Sequence, residues 1–340
     1  MQRFYGVSPQ IEESISKALK AYGLSLYNTQ DLAKAVLALS DYFIANPDKQ
    51  TPWHERWAQI AYLCYYLPLN MARLSAVTEE GRRRDFFKDL DHVIDFGAGL
   101  ATASLVLAQE KNFKFTLIER ANEPAKLIDQ NFAHFKATKW QKTMEASDLI
   151  LPKKSLAVFS YSLTELTSLP KWALECEAMM LVEPSTQQDG RKLLILRREL
   201  LEKGYHIYAP CTHEEACPLL TQSKTDWCHD RFHFQAPDWF TKMEAFLPMK
   251  NRTLTMSYLL VRKTKPATEI KAARVVGDLL KEKGKDRQMI CQGTDREFLA
   301  WMHRKGQSQE IPRGVLIELP EDQQKVSAEI RVEKELKILK

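Results

Sequence analysis

The chain is expected to be an α/β protein, with a largely parallel sheet preceded by a helical region and followed by a small β-rich appendage. Three observations predict this. Over the first 85 residues apolar side chains recur at three- and four-residue intervals. From residue 91 short apolar runs alternate with helical stretches, the pattern of right-handed crossovers. After Lys263 only short strand-like runs remain. With 340 residues, 44% hydrophobic content and a net charge of +5, there is ample material for a core and room for two domains. No apolar run approaches the roughly 18 residues a membrane helix needs, so an integral membrane protein is not expected. Glu12 and Glu13 stand where a secretory signal would carry its apolar segment.

The helical region, 1–85, contains Ile11 to Tyr22, Asp31 to Phe43 and Trp57 to Val77, with breaks at Asn46-Pro47-Asp48 and Thr51-Pro52. The run Arg82-Arg83-Arg84 reads first as an exposed helix end and second as a phosphate contact. Residues 86–263 form the sheet region. His92 to Phe96 is a strand leading through a Gly-containing turn into a helix from Thr102 to Glu110. Phe113 to Ile118, Leu156 to Tyr161, Ala178 to Val182 and His206 to Tyr208 are further strands. Helices are expected around Pro124 to Phe135 and over Gly190 to Lys203, with Thr253 to Arg262 as a late strand closing the sheet. Residues 264–320 give the β-rich domain, with strands expected over Arg274–Leu280, Arg287–Cys291 and Gly314–Leu319, and 321–340 a polar tail. Residues 250–305 hold 14 Lys+Arg against 6 Asp+Glu. That basic block suits a nucleic-acid backbone, although a solvated Lys-rich surface is the plainer reading.

The turn Asp95-Phe96-Gly97-Ala98-Gly99-Leu100-Ala101 carries the first candidate site. Gly97 and Gly99 let ligand atoms approach the backbone. Glu119 ends the next strand, where a carboxylate can accept hydrogen bonds from ribose hydroxyls. Thr102 stands where a dinucleotide fingerprint needs its third Gly. An acidic residue two positions before the first Gly resembles the first motif of S-adenosylmethionine-dependent methyltransferases. Asp95, Gly97, Gly99 and Glu119 are therefore the candidate cofactor residues. No catalytic loop is evident: Ser160-Tyr161-Ser162-Leu163-Thr164-Glu165-Leu166 lacks the Pro-Pro-aromatic element of base N-methylation, and Tyr161, Thr164 and Glu165 could at most border a pocket. The catalytic residues stay unassigned. The Pro210-Cys211 dipeptide falls after the sixth strand, too late for a cytosine-5 nucleophile.

The second candidate site is a group of cysteines. Cys211, Cys217 and Cys228 follow C-x5-C-x10-C spacing, and Cys291 lies in the basic block. Cys64 and Cys176 sit alone in apolar surroundings. Four thiolates can hold zinc or an iron–sulfur cluster, and spacing does not choose between them. His213, His229 and His233 could stand in for a thiol in a zinc site. A metal joining 211–228 to 291 would staple the sheet to the basic domain. Arg231-Phe232-His233-Phe234 mixes a cation with rings that could stack on bases, although period-two burial in a strand is the plainer reading.

These runs, with Val182-Glu183-Pro184-Ser185, Ala209-Pro210-Cys211-Thr212-His213, Cys217-Pro218-Leu219, Trp227-Cys228-His229, Ser257-Tyr258-Leu259 and Ala273-Arg274-Val275-Val276-Gly277-Asp278, resemble one family. It is the methyltransferase-like family associated with the mitochondrial small ribosomal subunit, which also has bacterial members. The resemblance implies a Rossmann-like class I methyltransferase sheet binding S-adenosylmethionine, and a 4Fe-4S cluster on Cys211, Cys217, Cys228 and Cys291, with zinc as the alternative. It implies as partners the small ribosomal subunit and its rRNA, for an assembly or translation factor or for an active rRNA methyltransferase. A monomer without membrane association, in the cytoplasm of a bacterium, is expected.

Overall fold

A computed structural model describes residues 2–46, 49–143, 151–268, 271–320 and 324–339. Pro47 and Asp48, part of the expected break between helices, lie outside the described residues.

A short strand, β1 (Phe4–Gly6), precedes α1 (Pro9–Lys20), α2 (Thr29–Ala45) and α3 (Arg56–Ala61). A π-turn over Tyr62–Tyr66 joins α3 to α4 (Leu67–Arg83), where the periodicity gives one unbroken helix. The inserted turn rotates the tyrosines into separate contacts. Tyr62 packs on Trp53 with ring centroids 4.5 Å apart, and Tyr65 stacks on Phe240 at 5.6 Å. The run Arg82-Arg83-Arg84 ends α4, where Arg82 pairs with Glu110 and Arg83 with Glu79 and Glu80. These partners favour the helix-end reading over a phosphate contact.

The sheet strands are β2 (His92–Phe96), β3 (Lys114–Ile118), β4 (Lys139–Gln141), β5 (Ser155–Ser160), β6 (Ala178–Glu183), β7 (His206–Ala209), β8 (Asp230–Gln235) and β9 (Thr253–Arg262). Helices α5 (Thr102–Leu107), α6 (Glu123–Asn131), α7 (Gln187–Glu202), α8 (Pro218–Thr221) and α9 (Asp238–Glu244) connect them. Strands β4, β3, β2, β5 and β6 lie side by side in that order, all parallel. Then β9 runs antiparallel between β6 and β7. This order, with one reversed strand next to the edge, is the class I methyltransferase sheet of the Rossmann-like type. The lower half of β9 also pairs with β8, which pairs with β1. Burial explains the strand sequences. Central β6 is buried at all six positions, as expected between two helical layers. β8 alternates, with Phe232 and Phe234 inside. Those rings belong to the core, so the base-stacking role considered for them is corrected.

The N-terminal helices close one face of the sheet in a single apolar core, and α7 with Trp172 closes the other. A second, mainly antiparallel sheet follows: β10 (Ala273–Val275), β11 (Leu280–Glu282), β12 (Lys285–Cys291), β13 (Glu297–Met302) and β14 (Leu316–Ile317). The segment expected as a polar tail adds β15 (Gln324–Val326), β16 (Glu329–Arg331) and β17 (Ile338–Leu339) to this sheet. Ile330, Val332 and Leu336 anchor that segment in the sheet's own core.

Candidate functional site

The turn after β2 is built from three left-handed residues, Gly97 (φ 65°), Gly99 (φ 48°) and Ala101 (φ 51°). A Cβ at Gly97 would lie 2.8 Å from the Ser162 Cβ, so only Gly fits between β2 and the segment after β5. Glu119 reaches back from the end of β3. One oxygen accepts from the Gly99 N–H and the other from the Ala121 N–H, both at 3.0 Å. This fixes the carboxylate beside the glycine turn with lone pairs to spare. A Cβ at Gly99 would lie 3.5 Å from the Trp53 ring, so Trp53, backed by Tyr62, covers the turn from the helical region. Sequence reasoning missed both, because they come from a helix entry some forty residues away.

Asp95 faces inward. It is 1% exposed, and its Oδ2 accepts from the Ser104 hydroxyl at 2.7 Å. Burial pushes its carboxyl up to about 7, with the Ser104 hydrogen bonds opposing and Glu119 adding. Its position therefore ties the turn to the helix that follows.

At the ends of β5 and β6, Tyr161 takes φ 59° and Ser162 lies against Gly97. Glu183 is buried, and its Oε1 accepts from the Leu163 N–H at 3.1 Å. Burial raises its carboxyl to about 8, the Leu163 and Ser162 N–H groups and Lys192 opposing and Asp189 adding. Thr164 and Glu165 stay exposed.

The structure gathers the four cysteines at the junction of the two sheets. Cys211 follows β7, Cys217 precedes α8, Cys228 precedes β8 and Cys291 ends β12. Thr212 donates its hydroxyl to the Cys291 carbonyl at 3.4 Å, and the Cys291 Sγ is 3.5 Å from His213 Nε2. Burial raises the Cys291 thiol, and Cys211, Cys228 and Cys217 each push it further up. The Cys228 thiol is pushed up to about 12 by burial and then by Cys211 and Cys217. Arg197, 3% exposed on α7, binds the loop: it donates to Cys211 Sγ at 3.2 Å and to the carbonyls of Glu215 and His213 at 3.0 and 2.7 Å. Leu194 and Leu219 pack with Cys217 and Cys228 in a small apolar cluster. Four thiols, a buried guanidinium and an apolar wall fit a polysulfur ligand set in donor type and neighbourhood. Among the described residues no group of three His, Cys, Asp or Glu side chains is spaced to grip a metal ion. His229 and His233 are engaged elsewhere, His229 with Arg313 and His233 stacked on Phe4.

The basic block has two parts, one exposed and one already paired. Lys281 and Lys283 are exposed beside the β11–β12 turn. Lys285 pairs with Glu329, and Arg287 pairs with Glu282 at 2.5 Å. No helix among the described residues is long and apolar enough to cross a membrane.

Solved structures with related shapes include magnesium protoporphyrin IX methyltransferase from Synechocystis PCC 6803 with bound SAM. It is 12% identical over 68% of this chain and 97% of that one, with a TM-score of 0.35. The 16S rRNA methylase ArmA is 11% identical over 57% of this chain and 84% of that one, with a TM-score of 0.32. At scores this low neither likeness carries weight, and the fold rests on its strand order. No curated protein matches. Residues 56–308, about three quarters of the chain, match the family model described as Mitochondrial small ribosomal subunit Rsm22, and the chain belongs to that family.

Proposed function

We propose that the protein binds S-adenosylmethionine at the Gly97–Gly99 turn and acts on the small ribosomal subunit through its rRNA, as a methyltransferase-like assembly or translation factor. The observation that carries the reading is the left-handed glycine turn with Glu119 held across it, at the carboxyl end of the first sheet strand. Family membership supports the ribosomal partner. The protein works as a monomer in the cytoplasm of a bacterium. In this reading Cys211, Cys217, Cys228 and Cys291 hold a 4Fe-4S cluster. Bound there, the cluster supplies a cross-link between the 211–228 segment and the second sheet rather than reaction chemistry, since four thiolates leave no open coordination position. Arg197 lies among these cysteines, where its guanidinium would offset the negative charge of cluster-bound thiolates.

Calorimetric titration tests the first part. Saturable S-adenosylmethionine binding is expected, at least tenfold weaker in Gly97→Ala; no binding to the unaltered chain removes the reading. Anaerobic purification tests the second. About four irons with matching sulfide, and loss of colour in Cys217→Ala, are expected, whereas one zinc and no iron overturns the cluster. Methyl transfer to rRNA is the second reading, favoured by the polar groups at the ends of β5 and β6. Radiolabelled methyl appearing in small-subunit rRNA would establish it.

A further inference from the structure

Three polar atoms at the ends of β5 and β6 lie inside the protein without a hydrogen-bond partner: Tyr161 Oη, Ser162 Oγ and Glu183 Oε2. Ser162 is 4% and Glu183 3% exposed. A buried polar group left unpaired costs stability, and three together call for a cause. Tyr161 adds a second cost, since φ 59° is a conformation a bulky L-residue adopts only where its surroundings enforce it. The group is held as one unit. Tyr161 and Ser162 are consecutive, and Glu183 is bonded to the next residue through the Leu163 N–H. Ser162 also touches the glycine turn, so the three atoms stand at the ligand-binding end of the sheet.

We infer that Tyr161, Ser162 and Glu183 form the recognition set for an uncharged nucleobase edge that presents an N–H beside an acceptor atom. The inference deepens the RNA-directed reading given above and rests on it. Two hydroxyls and a carboxyl with one oxygen already engaged can each donate or accept, which suits a mixed edge. An anionic group would face Glu183 and Asp189. The guanidinium of Arg73, which lies over the Tyr161 ring at 5.9 Å, is taken up by the Thr255 carbonyl and Asn70. Burial keeps the Glu183 carboxyl protonated near neutrality, so it can donate to a ring nitrogen or carbonyl.

The four ribonucleosides are the probes, titrated into the full chain with S-adenosylhomocysteine present to occupy the glycine turn, and again without it. At least one nucleoside is expected to bind saturably, and at least tenfold more weakly in Glu183→Ala and Ser162→Ala, while S-adenosylhomocysteine affinity changes less than twofold. Tyr161→Phe and Ser162→Ala should melt at the same or a higher temperature, because each removes an unpaired atom. If the Ala variant does not fold, Glu183→Met keeps the length without the polar atoms and should show the same selective loss, whereas Glu183→Gln, which keeps an acceptor and a donor, should bind close to the unaltered chain. The inference is overturned if no nucleoside binds the unaltered chain. It is equally overturned if the variants melt higher and bind as well as before, which would leave the three atoms to ordered water alone. Nucleoside binding without S-adenosylhomocysteine binding would remove the methyl-donor reading and leave this one standing; the reverse would remove only this one.

Discussion

Asp95 and Glu119 end adjacent strands, yet their carboxyls do different work. Glu119 stays half-buried and accepts two backbone N–H bonds at the turn, whereas Asp95 is enclosed and bonded to Ser104. For Asp95 the sign of the pH effect follows. Its folded value, about 7, lies above the unfolded one, so the protonated form suits the fold and stability is lost as pH rises from about 4 through 7. Asp95→Asn keeps an acceptor for Ser104 and removes the titration. Relative to the unaltered chain it should gain stability over that window, on the order of 3 kcal/mol by the conversion of one pKa unit to about 1.4 kcal/mol. Urea melts at pH 4, 5.5 and 7 check this; parallel curves for the two proteins would refute it. Arg197 is the residue that sequence reading passed over most completely. Nothing in the sequence separates it from the other charges of the expected helix over Gly190 to Lys203, but the structure encloses it among the thiols.

Among elements, the glycine turn and the β11–β12 hairpin make separate predictions. Gly97 and Gly23 have nearly the same φ, 65° and 69°, but a Cβ at Gly23 meets nothing within 4 Å. Gly23→Ala should therefore cost only the left-handed penalty, about 1 kcal/mol. Gly97→Ala should cost more, because Ser162 must also move, and chemical denaturation of the pair measures the difference. Equal losses would mean that the contact with Ser162 is slack. In the hairpin, the exposed Lys281 and Lys283 are free to meet phosphate, whereas Lys285 and Arg287 already face Glu329 and Glu282. Replacing Lys281 or Lys283 with Ala should lower the slope of log affinity against log salt for rRNA by up to about 1 each. The same change at Lys285 or Arg287 should lower it less. A salt-independent affinity would exclude the hairpin as an RNA contact.

Over the whole molecule, the two sheets meet through buried polar contacts. Arg274, 3% exposed on β10, pairs with Glu80 of α4 at 2.8 Å and donates to the Gly314 carbonyl at 2.5 Å and to that of Pro210. Arg3, paired with Asp230 inside the first sheet at 2.7 Å, donates across to the Arg313 carbonyl at 3.3 Å, and Arg296 pairs with Asp226 at 2.5 Å at the half-exposed rim. The joint that a metal was expected to staple thus has ion pairs of its own, and a cluster would reinforce it. Burial pushes the Glu80 carboxyl up, but Arg274, Arg3 and Arg83 hold it below the usual range. Removing either partner strands a charge in the interior, so Glu80→Ala or Arg274→Ala should cost about 3–5 kcal/mol. Denaturant melts of the two single variants and the double variant measure the coupling; a double variant no worse than either single would confirm that the loss comes from the stranded charge.

Much of the sheet could be read from the sequence, because parallel strands buried on both faces must be apolar runs between amphipathic helices. β2, β3, β5, β6 and β9 lie close to the apolar runs that mark them. β1 and β4 are three residues long, too short to carry a period, and their pairing is set by the neighbouring strand. The cysteines could be picked out by type and spacing, but spacing says nothing about the guanidinium placed among them. The chain by itself determined which stretches alternate, where glycine is needed and which side chains can bind sulfur-loving ions. Only the tertiary structure decided that Asp95 faces Ser104, that Lys285 and Arg287 are already paired, and that Tyr161 Oη, Ser162 Oγ and Glu183 Oε2 are buried without hydrogen-bond partners. The reason is physical: propensity and period act over a few residues, whereas desolvation, ion pairing and unpaired polar atoms depend on which distant segments the fold brings together.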